Sequence, residues 1–429
     1  MRRHVLSLAF PLFPVLLAGA FLPSALQADP RFEILAGDFD RPPGPVIVPL
    51  NSPPAHRLGI ATPLRVVMAF SGSGTEKELQ AQLIPTPSGT ALAFITPEVI
   101  RAGTALPCRV VSPLWPPSED EEAPSRISWR RRDTAVELLA GTQPVLAYHF
   151  ETVDPPEGVT PLHRRSAFIH PLYSPAGAVL TDVSPPDHHH HYGIWHPWRQ
   201  TVFEGNPLNF WELREAQGTI RFREFRRLWE GRVCGGFTAR QEHVALDGDR
   251  RTTSPVLDED FTVRVWNLER NDDPLWLIDY VTRQRCATHS PLELPAYRYG
   301  GGFAFRGAAG WNKETSGYLT SEGHNWENGD AQRSRWCRIH GDTEQGPASV
   351  LILNHPANHA FPQPMRINPA NYVFFNYTPI RDDPWILEPG DDYVMRYRLV
   401  VANRVIESEE AETWWREYVE PARLFLHDP

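Results

Sequence analysis

The sequence is poor in cysteine, has no excess of basic residues and, beyond its N-terminal leader, contains no long apolar run. Only four cysteines occur in 429 residues, Cys108, Cys234, Cys286 and Cys337, and no two form a C-x-x-C pair. That spacing argues against a cysteine-ligated zinc site. It leaves open three possible disulfide pairings, or sparse buried thiols in a chain long enough to need no staples. Acids outnumber bases, 52 to 42, for a net charge of −10. A nucleic-acid partner would call for a basic footprint, and the acidic balance offers nothing to an anionic membrane surface. No segment after the leader approaches the ~20 apolar residues that span a bilayer. No H-E-x-x-H spacing of a familiar zinc protease is present either.

What is present is a globular composition with 41% hydrophobic and 22% charged residues, enough for two or three domains. Proline is abundant, 43 residues, which predicts many short elements joined by stiff turns. Met1-Arg2-Arg3-His4 followed by the apolar stretch Val5 to Leu22 and small residues up to Ala28 reads as an export signal. Cleavage is expected after Ala28, giving a periplasmic or extracellular protein. Residues 29–115 carry short β-prone runs separated by Pro, Gly and Ser, which predicts a small immunoglobulin-like β-sandwich. Residues 116–125 are Pro-rich and acidic, a linker. From 126 onward strand patterns dominate. In Tyr393–Val401, residues Tyr393, Met395, Tyr397, Leu399 and Val401 alternate with Arg396 and Arg398 on the opposite side. Long antiparallel strands with few helices predict one large sandwich. The end differs: Ser408 reads as an N-cap, acids follow, Ala411, Trp414, Trp415 and Tyr418 keep helical spacing, and Pro421 closes a helix over 408–420.

The densest chemistry lies at 185–198, PPDHHHHYGIWHPW, which holds five of the 17 histidines. Imidazole serves where a proton moves near neutral pH or a metal needs nitrogen. Three readings follow. His190 and His191 transfer protons with Asp187 as orienter; or His188 and His190, with Asp187 or His170, hold a divalent metal; or the histidines bond to backbone in a stiff loop. Trp195, Trp198 and Trp211, with Asn209 before the last, suit a sugar platform, because indole faces stack on pyranose C–H groups. Core packing is the plain alternative. A third stretch, Ser321 to Asn328, offers Glu322 and Glu327 as acid–base groups and His324 as a ligand contact. Arg333 and Arg335 follow, able to grip a carboxylate. A polar hairpin with surface ion pairs is the alternative there. His355 ends an apolar strand and is a further binding candidate.

Together these stretches resemble a bacterial family labelled "methane oxygenase PmoA". The resemblance rests on HPLYSPAG at 170–177, PPDHHHHYGIW at 185–195, NFW at 209–211, TSEGHNWENG at 320–329 and RSRWC at 333–337. It continues through NHPANHAFPQPMRI at 354–367 and YVFFNYTPIRDDPWILEPG at 372–390, and covers about 140–403. Where His189 stands the family pattern has proline, and where Tyr192 stands a polar or basic residue, so His189 is the least needed of the four. A methane monooxygenase subunit of that name is an integral membrane protein, which this chain does not resemble. The resemblance implies instead a galactose-mutarotase-like β-supersandwich, a fold shared by sugar epimerases, polysaccharide lyases and glycosidase accessory domains.

The expectation is therefore a mainly β protein: an N-terminal immunoglobulin-like sandwich, then an antiparallel β-supersandwich over 126–429 with a C-terminal helix. The expected function is a carbohydrate-active enzyme with His190, His191, Asp187, Glu322 and Glu327 as catalytic groups. His170, Trp195, Asn209, Trp211, His324, Arg333, Arg335 and His355 would bind substrate. No cofactor is required on this reading, though a divalent metal is allowed. A non-catalytic glycan binder and a metal-dependent oxygenase are the other two readings.

Overall fold

The structure, a computed structural model, describes residues 31–49, 64–69, 75–86, 89–111, 126–247, 253–268 and 273–427. The leader read at 1–28 and the linker read at 116–125 lie outside the described residues. The chain is mainly β, as its alternating patterns require.

Two eight-stranded antiparallel sheets form the large sandwich. One runs Met365–Ile367, Phe374–Tyr377, Ala304–Arg306, Ile194–Trp195, Phe168–Leu172, Gln143–His149, Ala135–Ala140, Ile127–Arg131 in spatial order. The other runs Gly218–Trp229, Cys234–Leu246, Thr253–Trp266, Leu275–Cys286, Tyr393–Ala402, Gly346–Asn354, Trp336–Thr343, Ser316–Thr320. Their inner faces meet in one core. Because successive side chains point to opposite faces, Met395, Tyr397, Leu399 and Val401 enter that core. Val400 and Ala402 join a second cluster on the outer face. The alternation read in Tyr393–Val401 is the alternation found.

That second cluster is closed by the C-terminal helix Ser408–Val419, through Ala411 and Trp414, and by Ile84, Ala91 and Ala93 of the N-terminal unit. The N-cap is Glu407, not Ser408, and no side chain caps the helix; Ser408 is its first residue. The N-terminal unit is a seven-stranded antiparallel sheet wrapped over its own core of Phe32, Val66, Phe94 and their neighbours. Its outermost strand is Arg423–Leu426, paired in register Phe32↔Leu426, so residues 29–115 do not complete it alone. All four cysteines are free thiols, and Cys108, Cys234 and Cys337 are buried. Among the described residues no helix is long and apolar enough to cross a membrane.

Candidate functional site

The site lies on the outer face of the sheet that carries Ile194–Trp195. Ile169, Ile194, Phe305 and Phe375 point into the core. Their chain neighbours Phe168, Trp195, Ala304 and Phe374 form a separate apolar cluster on the opposite side, with Tyr192, Trp211 and Leu213. The loop Ser184–His191 lies against this cluster. It is held by Ser184 N–H to His191 O at 2.8 Å and by two turns, His188 N–H to Pro185 O and His191 N–H to His188 O, both 3.0 Å. Gly193 anchors its exit. At φ +54° its backbone passes so close to the next strand that a Cβ would sit 2.2 Å from Ile169 O. We expect Gly193→Ala to cost about 2 kcal/mol or more, read as a lower denaturation midpoint.

The four histidines have four different surroundings. His190 pairs its Nδ1 with Glu212 Oε2 at 3.0 Å, both side chains largely buried. Its other ring nitrogen is not used in that pair, and the residue lines a cavity of about 130 Å³. Glu212 is carried by the Asn209–Phe210–Trp211 turn. Asn209 Oδ1 accepts the N–H of Trp211 and of Glu212, each at 2.9 Å. Burial alone would raise the Glu212 carboxyl, but the hydrogen bond and charge of His190, with the Arg214 N–H, hold it down at about 2. Glu212 is thus a fixed anion behind a ring that can take or give a proton, the pairing by which a carboxylate orients imidazole.

His188 bonds to Asp187 at 3.0 Å through Nδ1 and meets the Tyr372 hydroxyl at 3.3 Å through Nε2. Asp187 is itself gripped by both arms of Arg306, at 3.0 and 2.9 Å. Burial would raise this carboxyl too, but Arg306 and His188 hold it below its ordinary value. His191 is buried, stacked between His188 and Phe374, each with ring centroids at 4.7 Å. Burial first, then the neighbouring His190, His188 and Arg306, pushes it well below the usual histidine range, so it stays neutral. His189 turns away, with its Nδ1 3.3 Å from Ser184 O.

The structure therefore corrects several expectations. Asp187 orients His188, not His190 or His191, and His191 is too deeply buried to carry a proton. Trp195 is not a stacking platform: it is 1% exposed and lies beneath the loop. Trp211 lines the cavity but is equally buried. Asn209 spends its side chain on the turn and on Glu215, at 2.7 Å, so it positions Glu212 and does not bind ligand. His170 bonds to Thr181 at 3.0 Å and is outside the cavity lining. Glu322, Glu327 and His324 belong to the hairpin after Ser316–Thr320, in the other sheet. There Asn325 Oδ1 accepts the Glu327 N–H, Thr320 Oγ1 accepts the His324 N–H, and Glu322 accepts from Ser321. Arg335 pairs with Glu412 of the C-terminal helix at 2.5 Å and covers Trp415. Arg333 ties Ala360 O, Pro362 O and Asp382 together. His355 accepts the Ala357 N–H and meets Tyr418 edge-on. None of these residues lines the His190 cavity.

The residues missed from sequence are Glu212, Arg306, Tyr372, Arg298, Tyr299, Arg366 and Asn368; the last four line the cavity with His188, His190, His191, Trp211 and Phe374. Among the described residues no group of three or more His, Cys, Asp or Glu is arranged to hold a metal ion. His188 and His190, the candidates for one, each give Nδ1 to a carboxylate.

Fold and site together define a mainly β protein with a small histidine-lined cavity on the outer face of one sandwich sheet. Residues 135–416 match a family described as a family of unknown function (DUF6807), and the chain belongs to that family. No curated protein matches the chain. Similar solved structures include heparan sulfate lyase HepC from Pedobacter heparinus, 8% identical with a TM-score of 0.29, covering 66% of this chain and 36% of that one. Another is the GH36 alpha-galactosidase AgaA from Geobacillus stearothermophilus in complex with raffinose, 10% identical with a TM-score of 0.26, covering 65% and 41%. The chain spans less than half the length of either, and at these values the likeness carries no weight for the site's chemistry.

Proposed function

We propose that the protein is an exported carbohydrate-active enzyme in which His190 transfers a proton to or from a sugar. The observation that carries this is the His190–Glu212 pair at 3.0 Å, set so that His190 lines the cavity. Glu212 stays ionised above about pH 4, so it steadies the imidazolium that forms when the ring accepts a proton. The cavity also supplies donors for a pyranose's hydroxyls from Arg298, Arg366 and Asn368, with the half-buried Tyr299 ring beside them. His188, fixed at both ring nitrogens, shapes the wall. The basic and apolar leader at residues 1–28 supports action outside the cytoplasm.

The test is a screen of neutral and acidic oligosaccharides with the intact chain and with Glu212→Gln, read by mass spectrometry. The expected result is at least one saccharide converted by the intact chain and much more slowly by the variant. A gain of water, a new double bond or an unchanged mass names the reaction as hydrolysis, elimination or epimerisation. Saccharides bound but never converted would favour a glycan-binding protein instead.

A further inference from the structure

The cavity's charge is one-sided. Its lining includes Arg298, Arg366 and three histidines, and no Asp or Glu. The nearby acids face elsewhere: Glu212 is behind His190, and Asp187 is clasped by Arg306.

One frame sets both cationic lining residues. Arg381 donates to Arg298 O at 2.6 Å and reaches Asp330 at 3.5 Å, and Asp330 takes one arm of Arg366 at 2.7 Å. Asp330 also accepts the Ile367 N–H at 3.2 Å, fixing the strand on which Arg366 stands. Arg298 is exposed and has no carboxylate partner among the described residues; its guanidinium lies over the Tyr299 ring at 5.5 Å. Arg366 is thus already neutralised by Asp330, while Arg298 keeps an unpaired guanidinium on a braced backbone at the cavity, and guanidinium matches a carboxylate in two parallel hydrogen bonds.

Size narrows the ligand further. At about 130 Å³ the cavity is below the ~300 Å³ at which drug-sized pockets begin. That is too small to enclose a stretch of chain.

We infer that the His190 cavity recognises a single carboxylate-bearing sugar unit, a uronic acid free or at a chain end, with Arg298 as the residue that selects the carboxylate. This rests on the reading of the cavity as a sugar site, but makes a separate claim about charge. Arg298 is a specificity residue; the proton transfer is assigned to His190.

The experiment is calorimetric titration of the full chain with glucuronate, galacturonate, their methyl esters, glucose and galactose. It is repeated with Arg298→Gln and Arg298→Lys. The expected result is binding of at least one acid at least tenfold tighter than its ester and its neutral counterpart. Arg298→Gln should bring the acid down to the affinity of its ester, and Arg298→Lys should restore part of the preference. Because Arg298 is at the surface, these variants fold. Equal binding of acid, ester and neutral sugar overturns the inference, as does an acid preference unchanged in Arg298→Gln. His190-dependent conversion of neutral sugars alongside either result leaves the enzyme reading standing. Absence of binding by every sugar, acidic or neutral, overturns both.

Discussion

Replacing His190 with alanine is expected to lower kcat/KM for the converted saccharide about 10²–10⁴-fold, the usual worth of a placed acid–base group. The fold should survive, because His190 makes its principal bond with Glu212 on the outer face and is not in the core between the sheets. Glu212→Gln keeps the shape but removes the anion, and is expected to cost about 10²-fold. The two changes should not add, since each disables one unit. Steady-state rates for the two single variants and the double variant check this. By contrast, His191→Phe, a ring already buried and neutral between two stacked neighbours, is expected to change kcat/KM by less than about tenfold.

The largest effect on stability is expected at Asp279. Its carboxylate is buried beneath the C-terminal helix, accepting from Arg398 at 2.7 Å and from Trp266 at 2.8 Å, with Arg264 at 3.8 Å. Arg398 in turn lies under the Tyr418 ring, and Arg264 reaches Pro85 O of the N-terminal sheet. Asp279→Ala strands the Arg398 charge in that interior, a loss of about 3–5 kcal/mol. Asp279→Ala combined with Arg398→Met removes both charges and should recover much of it. The pH dependence follows from the same contacts. Burial would raise the carboxyl, but the charge and hydrogen bond of Arg398, with Arg264 and Trp266, hold it below its ordinary value. A depressed carboxylate stabilises the fold fully above its unfolded value, about 3.9, and loses that contribution as pH falls through the folded value. Urea midpoints should therefore converge between the native chain and Asp279→Ala as the pH drops below about 4.

Much of the fold was legible because strand periodicity is local. Tyr393–Val401 announces both faces of its sheet, and the helix announces itself through Ala411 and Trp414, two of the three residues it buries. The pairing of Arg423–Leu426 with Arg31–Leu35 was not legible, because a four-residue strand almost 400 positions from its partner leaves no periodic trace. At the candidate site, the density of histidine marked a loop that lines the cavity, but not the separate surroundings of each ring. Those surroundings depend on which ring meets which carboxylate, and Glu212 comes from a turn two dozen residues on. A signal for it existed: Asn209 precedes Glu212 by three positions, and an Asn side chain that bonds the N–H groups ahead of it fixes the turn that follows. The stretch Ser321–Asn328 misled for the opposite reason. Its polar density is turn chemistry: the side chains of Thr320, Asn325 and Asn328 accept backbone N–H groups of the same stretch. Arg298, Arg306 and Arg366 all lie more than 100 positions after the histidine loop, and only the fold gathers them there.

The most direct test is a crystal structure of Glu212→Gln soaked with the saccharide that the native chain converts. The expected density places a sugar oxygen within about 3 Å of His190 Nε2, in the cavity bounded by Trp211 and Arg366. Sugar bound instead at the Ser321–Asn328 hairpin or beside the C-terminal helix, with the His190 cavity empty, would contradict the account.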